Sequence, residues 1–183
     1  MNRIEALCTN YGGYVSLPWD RSLPGPQRIW FAVYDPIDER RLRLQLESFE
    51  SATSRAGHGW RVCDLTDAFP RWMAQQDYRE TYFDSPDDLR TPHPDFEKFT
   101  AELVRRHLEE AGEASVVALN GVASLFGFLK VARLMELVEG SIRGRLLVFF
   151  PGEYEDSNYR LLDARDGWNY HAVPITATRG LEG

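Results

Sequence analysis

Two rhythms of apolar residues run along the chain: compact β-branched or aromatic runs bounded by turn residues, and stripes that recur at helical spacing. The run RIWFAVYD (28–35) predicts a first strand. WRVCDLT (60–66), ASVVALNG (114–121) and RLLVFFPG (145–152) predict three more, and a last one is predicted over Asn169–Ile175. The stripes between them read as helices, the first a short one around Ile4–Leu7. Asp35-Pro36-Ile37-Asp38 has the form of a helix start, with Asp35 placed to accept orphan amides and Pro36 at the first helical position. Leu42, Leu46, Phe49 and Ala56 continue that helix until Gly57 and Gly59. Thr66-Asp67 opens another, carrying Phe69, Trp72 and Met73. Phe96, Phe99, Leu103 and His107 stripe a longer helix closed by Gly112, and Ser124–Val138 reads as a helix with Ser124 as its N-cap. Residues 81–95 read as an acidic, proline-rich loop, and Asp166-Gly167 as a hairpin or tight turn.

Strands alternating with helices predict an α/β fold: a single domain on a mainly parallel, twisted sheet of about five strands with helices on both faces. The near-continuous runs VVAL and LLVFF suit strands buried on both sides. Residues 1–27 are expected to form an N-terminal helix and a Pro/Gly-rich lead-in, 28–176 the α/β domain, and 177–183 a flexible tail.

Composition narrows the class of function. At 183 residues with 43% hydrophobic content, the chain can bury a core without staples. A net charge of −7 argues against direct nucleic-acid binding, because affinity for a duplex comes mainly from neutralising phosphates. No apolar run is long enough to span a bilayer and MNRIEALCTN has no signal-peptide core, so a cytoplasmic protein without a membrane partner is expected. Cys8 and Cys63 have no CxxC or His spacing and read as free thiols.

The catalytic templates each lack a part. VVALNGVASLFGFLKVARLMELV (116–138) has the strand–glycine–helix order of a phosphate-binding loop, a P-loop-like architecture without a working P-loop. Five residues rather than four separate Gly121 from Gly127, Phe128 stands where the lysine is needed, and Lys130 lies farther into the predicted helix. After the first strand, Asp35, Asp38 and Glu39 would repel phosphates. No G-x-G-x-x-G occurs. Ser124 is flanked by Val122 and Phe126 rather than by the glycines of a nucleophile elbow. His58, His93, His107 and His171 show no metal-ligand spacing, and Asp84, Asp87 and Asp88 lack a glycine-ordered ligand loop. The chain reads as no enzyme, with no cofactor and no metal.

The densest functional lettering is FFPGEYEDSNYRLLDARDGWNYHAVPI (149–175). Glu153, Tyr154, Asn158, Tyr159, Arg160, Asp163, Arg165, Asp166 and Trp168 follow a strand end, where open α/β sheets bind ligands. Tyr, Trp and Arg are also the usual anchors of protein interfaces. The passage is therefore an interface candidate, with a pocket or an irregular loop pinned by arginine–carboxylate pairs as alternatives.

That passage, together with SLPW, VYDPIDERRLR, GHGWRVCDLTDAFPRWM and LNGVASLFGFLKVARLME, resembles the BrxB family of bacterial BREX phage-defence systems over roughly Ile4–Thr176. The resemblance implies a small accessory subunit acting beside the alkaline-phosphatase-like PglZ, the ATPase BrxC and the methyltransferase PglX. It brings no catalytic residues to carry over. The expected role is non-catalytic assembly through contacts with other BREX components, PglZ first. The alternative is a nucleotide-responsive or hydrolytic subunit with a divergent pocket at the C-terminal ends of the strands.

Overall fold

The computed structural model describes residues 1–89, 93–164 and 167–178. Its strands are β1 (Ile29–Tyr34), β2 (Gly59–Asp64), β3 (Ser115–Asn120), β4 (Arg145–Glu155), β5 (Asn158–Leu161), β6 (Trp168–Asn169) and β7 (Val173–Ile175). They form one sheet with the central order β2-β3-β4-β1-β7, in which the four neighbouring pairs run parallel. The far half of β4 pairs antiparallel with β5, and β5 with β6. The chain is thus a mixed α/β protein built on a single mixed sheet.

The helices are α1 (Arg3–Ser16), α2 (Glu39–Leu44), α3 (Leu46–Arg55), α4 (Ala68–Ala74), α5 (Arg79–Asp84), α6 (Pro94–Ala111) and α7 (Val131–Val138). Strand alternation divides the core in two. Phe31, Val33, Leu119, Val148 and Phe150 face α4, α6, α7 and the β5–β6 arm. Trp30, Ala32, Ala118, Leu147 and Phe149 face α1, α2 and α3. Every residue of β1 is buried, as a strand covered on both faces requires.

Helix α1 is longer than the turn expected around Ile4–Leu7. Asn2 accepts the amides of Ile4 and Glu5 while Glu5 accepts the Asn2 amide, a capping box. Ile4, Leu7, Tyr11 and Val15 are buried, and Tyr11 shares a 2.6 Å hydrogen bond with Thr53 of α3. Residues from both sides of position 27 therefore share one core.

Other elements shift too. Asp35 caps a 3-10 turn over Pro36–Asp38, and the helix expected after it breaks at Gln45 into α2 and α3. The loop expected over 81–95 holds most of α5, a 3-10 turn at Pro86–Leu89 and the start of α6. Helix α6 buries Phe96, Thr100, Ala101, Val104 and Leu108, a face rotated from the expected stripe. Ser124 caps no helix. It lies in a 3-10 turn (Val122–Leu125), and Gly127 at φ +82° stops helical continuation, so α7 begins only after Lys130. The last strand divides into β6 and β7. Asp166 and the tail residues 179–183 lie outside the described residues.

Candidate functional site

The connection after β1 crosses to the α1–α3 face, and the connection after β4 to the opposite face. Adjacent parallel strands whose chains part in this way leave a crevice at their carboxyl ends, the switch point where open α/β sheets bind ligands. Two adjoining cavities open there. The inner one, about 190 Å³, lies between Tyr34, Glu39 and Arg43 on one side and Val122, Ser124 and Leu162 on the other. The outer one, about 520 Å³, is walled by Asp35, Glu153, Tyr154 and Glu155. Tyr34, Pro36 and Leu162 border both.

A chain of polar contacts crosses the strand ends beside the inner cavity. Tyr34 donates its hydroxyl hydrogen to Glu39, and Arg43 Nε donates to Glu39 at 2.7 Å. Arg43 also lies 3.5 Å from Asp64 and donates to Thr66 Oγ1 at 3.0 Å. Burial, then the carboxylate of Glu39, pushes the Tyr34 hydroxyl far above the ordinary tyrosine range, so its proton stays in place. Burial works to raise Asp64, but the amide and hydroxyl of Thr66 and the charge of Arg43 hold it below the usual carboxylate range. The turn after β3 is fitted against this network. Gly121 has φ +78°, and a Cβ there would lie 2.5 Å from Thr66 Oγ1 and 2.6 Å from Thr66 N. Asn120, just before it, is 1% exposed, and its Oδ1 has no hydrogen-bond partner among the described residues.

The residues singled out from sequence fall into three groups. Glu153, Asn158 and Arg160 are exposed, and Tyr154 is half-buried, on the β4–β5 hairpin that extends beyond the parallel strands. Arg160 and Glu153 face each other at 3.5 Å, and Asn158 donates to the Asp156 carbonyl at 3.2 Å. Asp163 is exposed just past β5. The hairpin turns on Asp156-Ser157, with φ of 49° and 65°. Tyr159 belongs to the core instead, and Trp168 packs half-buried against it. Inward and outward positions alternate along β5, which sends Tyr159 and Leu161 inward. Tyr159 is 0% exposed, donates its hydroxyl to the Ala172 carbonyl at 2.8 Å and meets the Phe31 ring edge-on at 4.6 Å. As a buried residue it cannot anchor an external partner, so its place in the interface set is corrected. Trp168 is half-buried, with Phe31 and Phe150 across its ring. Arg165 and Asp166 lie outside the described residues.

Sequence reasoning missed the Tyr34–Glu39–Arg43–Asp64–Thr66 network. Its signal was present: polar residues stand at the ends of two apolar strands, and Glu39 and Arg43 are four apart on one helix. Elsewhere the titratable groups have structural surroundings. His58 stacks on Trp19, His93 meets Tyr82 at 3.1 Å, and His107 accepts from Arg61 at 3.1 Å. Burial pushes the Cys8 thiol up to about 11 and the Cys63 thiol up to about 12, the range of unreactive cysteines. Among the described residues no three His, Cys, Asp or Glu side chains converge to hold a metal ion, and no helix is long and apolar enough to cross a membrane. No protein-family model matches this chain, and neither does any curated protein or solved structure.

Proposed function

We propose that the protein is a non-catalytic assembly subunit of a BREX phage-defence system, and that it works by docking another component, the PglZ-like protein before BrxC or PglX. The resemblance stated above supplies the system. The observation that carries the docking role is the β4–β5 hairpin. Its four cross-strand pairs fix Glu153, Tyr154, Asn158 and Arg160 on a paired arm, continued by β6, at the rim of the sheet. A tyrosine and an arginine already ordered by pairing lose little freedom on binding, which is how a small patch acquires affinity. The cleft beneath supports a non-catalytic reading. Glu39 is bonded to both Tyr34 and Arg43, and Arg43 also faces Asp64, so its charged groups are matched to one another.

In this reading the sheet is a nucleotide-binding kind of scaffold that has lost its phosphate loop. Where β1 ends, the chain runs into Asp35-Pro36 rather than glycines, and the Ile37 amide donates to the Asp35 carboxylate. The test is size-exclusion chromatography with light scattering on the protein mixed with its PglZ-like neighbour. A complex of defined mass is expected. The double variant Tyr154→Ala/Arg160→Glu should lose it while staying folded, with a melting temperature somewhat lowered by the lost Tyr154–Tyr159 contact and by repulsion between Glu153 and the introduced carboxylate opposite it. Unchanged complex formation by that variant would remove the hairpin from the interface, and elution alone by the wild type would overturn the docking role.

The cavities at the switch point favour a second reading, a ligand-responsive subunit. A ligand selective for the folded state must raise the melting temperature.

A further inference from the structure

The two cavities at the carboxyl ends of β1, β3 and β4 differ in chemistry, and the difference selects a ligand. The inner wall is largely apolar, made by Pro36, Val122, Ala123, Pro151 and Leu162. Its charged members are matched to each other or to neighbours, Glu39 to Tyr34 and Arg43, and Arg43 to Asp64. Such a wall takes an uncharged molecule. Its 190 Å³ equals about six waters at ~30 Å³ each, room for one flat ring system. Ser124 brings a hydroxyl to this wall, able to donate to or accept from the edge of a ring.

The outer cavity is wider and acidic. Asp35, Glu153 and Glu155 line it, with Tyr34 and Tyr154 as the aromatic members. Arg3 lies 3.5 Å from Asp35 and Arg160 3.5 Å from Glu153, both at the exposed surface where pairing is weak. A carboxylate at such a switch point can accept sugar hydroxyls; Asp35 follows β1 directly, and Glu153 and Glu155 reach the cavity from the antiparallel hairpin. They repel phosphate.

From this pairing of a charge-balanced inner chamber and an acidic outer one, we infer that the cleft is a binding site for a nucleoside. The base occupies the inner cavity, the ribose hydroxyls donate to the outer carboxylates, and 5′-phosphates are disfavoured. The inference rests on the second reading above, that the cleft takes a ligand; Glu153 and Tyr154 belong both to the outer cavity and to the docking hairpin, whereas the inner chamber is separate from it.

The experiment is titration calorimetry on the full chain with adenosine, guanosine, cytidine and uridine, each set against its 5′-triphosphate with magnesium. At least one nucleoside should bind, and its triphosphate should bind about tenfold or more weakly, the like charges opposing it. The double variant Glu153→Gln/Glu155→Gln, both exposed, should weaken the nucleoside several-fold and narrow the gap to the triphosphate. Ala123→Leu should abolish binding by filling the inner chamber, and Ser124→Leu serves the same purpose if the first variant fails to fold. No heat with any nucleoside at millimolar concentration overturns the inference. So does a triphosphate that binds as tightly as its nucleoside, or a folded filled-chamber variant that binds normally. Complex formation with the PglZ-like protein, weighed on the Ala123→Leu and Ser124→Leu preparations, whose changes lie in the inner chamber and not on the hairpin, tells failure of the ligand site from failure of the docking role.

Discussion

The two ends of the parallel sheet solve the same problem, the placing of arginines among apolar strands, in opposite ways. At the amino end, Arg145 starts β4 and is 4% exposed. Its guanidinium donates to the carbonyls of Gly144 at 3.0 Å and Asp20 at 3.2 Å and sits 4.9 Å from the Trp19 ring. Trp19 in turn stacks on His58, with centroids 3.6 Å apart and planes 7° from parallel. Arg28 likewise gives its hydrogens to the carbonyls of Arg21, Leu23 and Ile142. At the carboxyl end Arg43 is answered by carboxylates, and open cavities remain beside it. Carbonyls and rings around a guanidinium make a closed end that straps residues 17–28 to the sheet. Side-chain pairs at the surface leave an end that stays accessible. The functional chemistry is sought at the accessible end for that reason.

The largest expected effect breaks the closed end. Arg145→Ala removes a side chain held against the indoles of Trp19 and, at 6.0 Å, Trp30, and should cost roughly 2–4 kcal/mol in chemical unfolding, through lost packing more than lost charge. Arg145→Met should recover part of that, since an apolar chain of similar length needs no partner for its charge. Next comes the open end's one rigid point. Gly121→Ala places a Cβ against Thr66 at φ +78° and should cost about 2 kcal/mol, read as a fall in urea midpoint. If that variant is neutral, the turn after β3 is not fitted to the network as described.

A smaller effect separates the ends by pH. Burial, then the charge of Arg145, holds His58 below its ordinary value, with a bond to Ala114 opposing; burial, then Arg61, lowers His107. A histidine whose folded pKa is depressed stays neutral while the unfolded chain takes the proton. Stability is therefore full above about pH 6.5 and falls as pH drops through that value toward the folded pKa. The melting temperature should decline over this window, and His58→Phe should make the decline shallower, leaving the share of His107. An unchanged slope would mean that the stack on Trp19 does not govern the closed end. Smallest of all, Arg160→Ala on the exposed hairpin should change stability by about 0.5 kcal/mol or less, because a surface pair contributes little. A larger loss would place Arg160 in the fold rather than at a free rim.

The elements that were legible in sequence are those whose burial is two-sided. β1, β3 and β4 announce themselves as unbroken apolar runs, and the helical stripe through Leu42 and Phe49 survives although Gln45 divides it. The β4–β5 hairpin was not legible, because both of its turn residues take positive φ without a glycine, and the glycine-bearing Asp166-Gly167 drew attention instead. Tyr159 shows a different failure. Its letter suits an interface, but the alternation Asn158, Tyr159, Arg160, Leu161 assigns it inward, and on a strand that pattern outranks residue type. The start of α7 depended on Gly127 adopting φ +82°, which no local pattern of apolar residues reveals. At the cleft, Glu153 and Tyr154 stand out by their lettering, whereas Tyr34 and Asp64, on non-adjacent strands, are joined only through Glu39 and Arg43 of α2 in the folded chain.

The most direct measurement is the mass, by light scattering, of the protein eluted with a PglZ-like protein, the partner proposed above, run in parallel for the wild type, Tyr154→Ala/Arg160→Glu at the open end and Arg145→Met at the closed end. A defined complex for the wild type and Arg145→Met, lost only in the hairpin variant, is the predicted result. Elution of the wild type alone, or a hairpin variant that still forms the complex, would contradict the assignment of the open end as the docking surface.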